Sequence, residues 1–313
     1  MKKFKIFIFI FIVACMPAFA QRNQQLIAQG DSCVKAYDYF HALDFYQQAQ
    51  AMNDNNTIKM KLANCYYLRT AYKKCIDLLQ KIPEDSLTHD ALREMYYAQG
   101  AMKKTEEQTY WGKKLLEKFP MDGHILADLI QVFLSQEDND DAPFLSVLYG
   151  ERYYKLDSTN VEVNKALGEA YFLAQKYEKC INIYKDIMEM DEASYNAFYY
   201  TAGAFEYLNK LDSAAFYFKK AVALNPKLPV GFYRLGVVEN QLNHYDEAIN
   251  YLQTAAKLYE PSKPIMFVIY KNIGEAKLKQ QDLKAAYLYW GYALAYVDDK
   301  ELEQKRINLK KSL

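Results

Sequence analysis

Three consecutive stretches decide how this chain folds: VEVNKALGEAYFLAQKYEKCINIYKDIMEMDEAS (161–194), YNAFYYTAGAFEYLNKLDSAAFYFKKAVALNPKL (195–228) and PVGFYRLGVVENQLNHYDEAINYLQTAAKLYEPS (229–262). Each is 34 residues long, and superimposed they keep small and aromatic residues in one phase. Leu167-Gly168-x-x-Tyr171, followed by Tyr177, Cys180, Tyr184 and Ile187, returns as Thr201-Ala202, Phe205, Leu211, Ala214, Phe218 and Ala221. It returns again as Phe232, Leu235-Gly236, Tyr245, Ala248, Leu252 and Ala255. After four extra residues the same phase gives Tyr270, Ile273-Gly274, Leu283, Ala286, Trp290 and Ala293. A fixed period of this length marks a repeat architecture in which each unit is one supersecondary element. Gly168 or Gly236 on a first helix and Cys180 or Ala248 on a second need little volume, so the two helices approach closely. Tyr171, Tyr184, Phe205, Phe218 and Trp290 fill the gaps between that pair and the next. At ~1.5–3 kcal/mol per fully buried large side chain, one unit cannot offset its chain entropy, so neighbours must stack.

The period extends upstream through Gly30, Ala42, Tyr46 and Ala49, then Ala63, Tyr66, Tyr72, Cys75 and Leu79. Eight units are placed, starting near residues 23, 56, 89, 127, 161, 195, 229 and 267. The third keeps Pro120 but has Gln108 and Gly112 where a small residue and an aromatic are expected. In the fourth, Ser146, Gly150 and Tyr153 are in phase, while the stretch from Gln136 to Asp141 interrupts the pattern and extends the inter-helix turn. Two spacings of 38 residues each add close to one helical turn, which lengthens a helix while keeping its buried face. The composition agrees. Eleven glycines and eight prolines are too few for the many tight turns of a sandwich, barrel or propeller, whereas 29 Tyr and 17 Phe suit regular helical packing. Thirty-nine basic against 39 acidic residues favours neither nucleic acid nor an anionic membrane.

These motifs resemble the tetratricopeptide repeat (TPR) family, whose pattern is W-x2-L-G-x2-Y…A-x3-F…P. The resemblance covers 23–300. It implies an all-α, right-handed superhelical solenoid of about eight helix-turn-helix repeats across 21–300, closed by a capping helix at 301–313 that carries Leu302, Ile307, Leu309 and Leu313. It also implies a concave binding surface built from repeat positions 2, 5, 6, 9, 12 and 13 of the first helices. Those positions include Lys165, Glu169, Phe172, Asn196, Tyr199, Tyr200, Gly203, Glu206, Tyr207, Tyr233, Arg234, Asn240, Lys271 and Glu275. Family members that capture a C-terminal carboxylate use Lys/Asn, Asn and Lys/Arg over consecutive units. Lys165 and Arg234 fit that clamp, whereas Glu169, Tyr200 and Val230 occupy its other positions. What remains is a tyrosine-rich groove of mixed charge, suited to a peptide or protein segment because Tyr and Arg offer large, semi-rigid contact area. Gly203 either opens a small pocket beneath Tyr199 and Tyr207 or marks a shift of register beside Ala202.

No constellation points to catalysis, a cofactor or a metal. His41, His89, His124 and His244 are scattered, and no metalloprotease, nucleophile-elbow or phosphate-loop motif occurs. Cys33, Cys65, Cys75 and Cys180 show no zinc spacing, and Cys75 and Cys180 stand where the repeat usually has alanine. The expected function is therefore a non-enzymatic interaction scaffold. The alternative is a glycan- or solute-binding envelope protein that uses tyrosine faces as stacking platforms.

Residues 1–20 read as an export signal. Lys2, Lys3 and Lys5 precede an apolar run from Ile6 to Ala14, and Ala18-Phe19-Ala20 gives an A-x-A cleavage site. The run is far shorter than the ~20 residues a membrane-spanning helix needs. Removal of this segment, which holds three lysines and no acid, leaves a net charge of −3. Ile12-Val13-Ala14-Cys15 also resembles a bacterial lipobox, in which Cys15 would be acylated. Either ending implies a bacterial periplasmic or outer-membrane-associated location. The short apolar run favours simple cleavage, so intact-mass measurement of protein from a bacterial envelope should give a mature N-terminus at Gln21. A lipidated chain starting at Cys15 would contradict this.

Overall fold

The computed structural model describes residues 2–136, 139–190, 193–259 and 262–313, with side chains from residue 19 onward. Among these residues there is no strand, and within each unit successive helices pack against one another. The chain divides into two compact units, Met1–Ser135 and Gln136–Leu313. The first holds α1 (Lys2–Lys35), α2 (Tyr39–Met52), α3 (Asn56–Leu68), α4 (Tyr72–Leu79), α5 (His89–Ala101), α6 (Thr105–Lys118) and α7 (Gly123–Leu134). The second holds α8 (Ala142–Tyr154), α9 (Val161–Leu173), α10 (Tyr177–Glu189), α11 (Tyr195–Tyr207), α12 (Leu211–Leu224), α13 (Pro229–Gln241), α14 (Tyr245–Leu258), α15 (Lys263–Lys279), α16 (Leu283–Leu294) and α17 (Lys300–Lys310). Odd-numbered helices from α1 to α15 are the first helices of their repeats. Both units are all-α arrays of repeated helical hairpins.

The starts of five first helices are fixed by a recurring cap. Asn55, Thr88, Asp122, Asn160 and Ser194 each accept a hydrogen bond from the backbone N–H three residues on. Such caps satisfy donors that the first turn otherwise leaves unpaired. Because Asp122 caps α7 through the Ile125 N–H at 3.1 Å, that helix begins at Gly123, one turn before the expected residue 127. The four additional residues of the fourth repeat therefore fall after α7, in the connection to α8. Glu137 and Asp138 of that acidic stretch lie outside the described residues. In the eighth repeat the extra residues do lengthen a helix: α15 starts at Lys263, four residues before 267, and has 17 residues against 13 in α13. At the N-terminus, α1 runs without a break through both Ala18-Phe19-Ala20 and residue 23. The side chain of Cys15 lies outside those described.

Seven of the turns between first and second helices share one geometry. Tyr37, Thr70, Lys103, Gln175, Asn209, Asn243 and Gln281 all have φ between 56° and 66°. Around each, paired reverse hydrogen bonds close a Schellman motif: the Ala71 N–H donates to the Tyr66 carbonyl while the Thr70 N–H donates to the Tyr67 carbonyl. The left-handed position is normally given to glycine, so the sequence carries no glycine signal for these turns.

In four hairpins the packing rests on a glycine opposite a large residue 16 positions later. A Cβ added to Gly168 would lie 2.7 Å from the Tyr184 ring, and one added to Gly236 would lie 2.7 Å from Leu252. Gly30 faces Tyr46, and Gly274 faces Trp290, in the same way. In the third repeat the pair is inverted. Tyr96 occupies the small position of α5, and Gly112, on α6, yields the space for its ring. Gly100 likewise makes room for Gln108. The departures of the third repeat are thus compensating volume changes, which a close-packed interior requires. Cys65, Cys75 and Cys180 are buried and Cys33 half-buried, all as free thiols. Leu302 of α17 packs on Trp290 and Ala293, closing the exposed end of the last hairpin. Gly168→Ala should destabilise the fold by about 1–3 kcal/mol through overpacking. Urea unfolding checks this, and Tyr184→Leu in the same chain should recover part of the loss.

Candidate functional site

The first helices of the N-terminal unit enclose a cavity of about 520 Å³. It is lined by Asp31, Val34 and Lys35 of α1, Thr57, Met60, Lys61 and Asn64 of α3, and Asp90, Ala91 and Glu94 of α5, with Tyr46 and Thr88 completing the wall. Counted from residues 23, 56 and 89, most of these are repeat positions 2, 5, 6, 9, 12 and 13, the set that the resemblance to the repeat family assigns to a concave face. The candidate residues from 165 onward occupy the same repeat positions in the more regular repeats, and none of them lines this cavity.

The cavity holds two contrasting carboxylates. Asp31 is fully engaged: Lys61 Nζ lies 2.6 Å from its Oδ1, and the Tyr46 hydroxyl donates to the same oxygen at 2.5 Å. Burial tends to raise its pKa, but those two bonds outweigh it and hold the carboxyl below its usual range. Glu94 is 8% exposed, and its Oε1 accepts one hydrogen bond, from Asn64 Nδ2 at 2.6 Å. Among the described residues no cation pairs with it. Burial, with a smaller contribution from Asp90, pushes its pKa up to about 7.

In the second unit, the residues expected to form a tyrosine groove are engaged mainly with one another. Phe172 lies 5.3 Å from Tyr200 and 5.7 Å from Tyr207, centroid to centroid. The Tyr200 hydroxyl donates to Glu169 Oε1 at 2.7 Å, and its ring stacks on Tyr184. Tyr199 packs between Tyr195 and Phe218. Arg234 Nη2 donates to Glu206 Oε2 at 2.7 Å and lies over the Tyr207 ring. Burial raises the Glu206 pKa more than Arg234 lowers it. Tyr233 packs against the core formed by Ile249, Leu252, Ile269 and Ile273. Gly203 exists for Phe172, since a Cβ there would meet the ring at 2.9 Å. Tyr207 is the open member of the set, 56% exposed and stacked on Tyr177 at 4.9 Å. Asn196 is exposed, and the Lys165 carbonyl accepts from the Tyr184 hydroxyl. Asn240 reaches the Asn272 carbonyl at 3.5 Å, and Lys271 is paired with Asp299, the cap of α17.

No protein-family model matches the chain. Among curated proteins it is 22% identical over 271 residues to anaphase-promoting complex subunit 3 of Schizosaccharomyces pombe, covering 83% of this chain and 40% of that protein. The chain thus spans less than half the length of that relative. Among solved structures it is similar to YrrB, described as a TPR protein with an unusual peptide-binding site. The TM-score is 0.52 at 16% identity, over 64% of this chain and 97% of that one. It is also similar to pilF of Pseudomonas aeruginosa, with a TM-score of 0.53 at 18% identity, over 69% of this chain and 95% of that one. With a 34-residue register, repeated helical hairpins and these likenesses, the chain has the tetratricopeptide-repeat fold, an all-α helical-repeat solenoid.

The environment of Glu94 has a measurable consequence. Folding raises its pKa from 4.5 to about 7, so the native chain keeps a proton that the unfolded chain releases across that window. This contribution favours the fold below pH 4.5 and is lost as pH rises through about 7. Glu94→Gln preserves an acceptor for Asn64 and removes the buried charge. Urea unfolding should show the variant more stable than the parent by about 1–3 kcal/mol at pH 8, with the difference closing toward pH 4.5.

Proposed function

We propose that this chain is an interaction scaffold without chemistry of its own, which grips a peptide or protein segment on the concave face of its first helices. The observation that carries the reading is the cavity of the N-terminal unit, whose walls come from three consecutive first helices. Its volume suits a few side chains of a ligand, within the roughly 300–1,000 Å³ of ordinary binding sites. Its lining combines an apolar floor of Val34, Met60 and Ala91 with a few placed polar groups. The similarity to YrrB, itself described as having a peptide-binding site, supports the same reading. The positive, apolar and A-x-A segments of residues 1–20 support a place of action in the bacterial cell envelope. No described helix is long and apolar enough to cross a membrane.

A second contact surface is favoured by Tyr207, whose exposed ring stacks on Tyr177 beside Arg234. That flat face suits an aromatic or proline side chain of the same partner, or a sugar ring if the ligand is a glycan. Phe172 packs against the Tyr207 ring at 5.7 Å.

The two surfaces are separable by mutation. A partner recovered from native envelope extract on the immobilised chain is titrated against Met60→Trp, which fills the cavity, and against Tyr207→Ala. Binding should fall at least ~10-fold, about 1.4 kcal/mol, with the first variant and less than that with the second. Loss with Tyr207→Ala alone would move the site to the second unit. Insensitivity to both would reject the concave reading.

A further inference from the structure

We propose that the N-terminal cavity selects a peptide segment bearing a lysine or arginine side chain, whose cationic head pairs with Glu94. The inference rests on the peptide-binding reading and adds the chemistry of the occupant.

The argument is one of unmatched charge. Lys61 and Asp31 face the cavity but neutralise each other at 2.6 Å. On the α5 wall, Glu94 is more than nine-tenths buried, is held in place by Asn64 through one oxygen, and has no described donor on the other. Asp90, one turn earlier on the same helix, lines the same cavity. The neighbouring cation of α5, Arg93, is turned to Asp122 instead. A buried carboxylate without a cation is costly, and that cost is recovered when a partner supplies one. Met60 and Ala91 beside it offer apolar surface for the methylene stem that carries the charged head. The result is the reverse of a carboxylate clamp: the site presents acid to a basic ligand.

The proton on Glu94 adds a signature. The charged groups around it are Asp90 on its own helix, Asp31 and Lys35 on α1, and Lys61 on α3. The nearby thiols Cys65 and Cys75 are pushed by burial up to about 11 and about 12. With its own pKa at about 7, Glu94 is about one-tenth ionised at pH 6 and about nine-tenths at pH 8. Since only the ionised form pairs with a cation, affinity should rise with pH across that range.

The test uses capped pentapeptides Ac-Gly-Leu-X-Leu-Gly-NH2 with X as lysine, arginine, norleucine or glutamate, titrated calorimetrically against the full chain. Lysine and arginine peptides should bind at least ~10-fold more tightly than the norleucine peptide, and the glutamate peptide most weakly. Glu94→Gln should bring the lysine-to-norleucine ratio within about threefold while norleucine binding is kept. Glu94→Asp, which retains the charge, should restore part of the ratio. In the parent the ratio should grow about ninefold from pH 6 to pH 8, and this growth should vanish in Glu94→Gln. Equal binding of lysine and norleucine peptides, a ratio that survives Glu94→Gln, or no binding of the lysine peptide at millimolar concentration overturns the proposal. If all four peptides bind alike and Met60→Trp abolishes them together, the cavity remains the binding site and only its preference for a cation is rejected.

Discussion

In most of the hairpins, two residues sixteen places apart, one small and one large, lie against each other across the helix pair, and the rest of the array depends on that contact. Gly168 against Tyr184, Gly236 against Leu252 and Gly274 against Trp290 are the same solution with different volumes. The contact sets how closely two helices approach, and so which of their faces remain for the neighbouring hairpin. The third repeat shows that the constraint is on summed volume rather than on residue identity, since Tyr96 and Gly112 exchange the roles. Left-handed turns at Tyr37, Thr70, Lys103, Gln175, Asn209, Asn243 and Gln281 fix the hairpin at its other end. Each places a side chain where its Cβ is disfavoured by roughly 1–2 kcal/mol, a strain that the paired hydrogen bonds and the hairpin packing offset.

Once the second helices are committed to this packing, the concave face is left to the first helices. In the N-terminal unit that face remains open and lined by unlike groups: an engaged Asp31–Lys61 pair, the apolar Val34 and Met60, and a buried Glu94. In the second unit the same register positions hold large aromatic and charged residues that satisfy one another. Tyr200 bonds Glu169, Arg234 bonds Glu206, and Phe172 fills the space above Gly203. Identical backbone geometry therefore yields one surface with unmatched groups and another whose polar groups are largely matched internally. Matched groups gain little by exchanging partners, whereas an unmatched one gains from a partner that completes it.

The repeat period, the helical hairpin and the identity of the core positions were legible in the sequence. A 34-residue recurrence of small and aromatic residues has few physical causes other than stacked supersecondary units. Leu302, which lies outside that recurrence, packs on Trp290 and Ala293. The start of α7 was not legible from that recurrence, because the displaced fourth repeat mimics an insertion before the helix. The side-chain cap at Asp122, in line with Asn55, Thr88, Asn160 and Ser194, was the signal that resolves it.

The sequence by itself determined which residues are inside, because burial follows from periodic volume and hydrophobicity along one chain. It also gave the register in which corresponding positions of successive first helices recur. Only the tertiary structure decided which of those positions are spent on each other and which remain open. Whether Glu206 meets Arg234, or Glu94 meets only Asn64, depends on distances between residues about 30 positions apart on different helices. Periodicity fixes the face on which such groups lie, whereas partner choice and desolvation are set by the few ångströms between neighbouring helices.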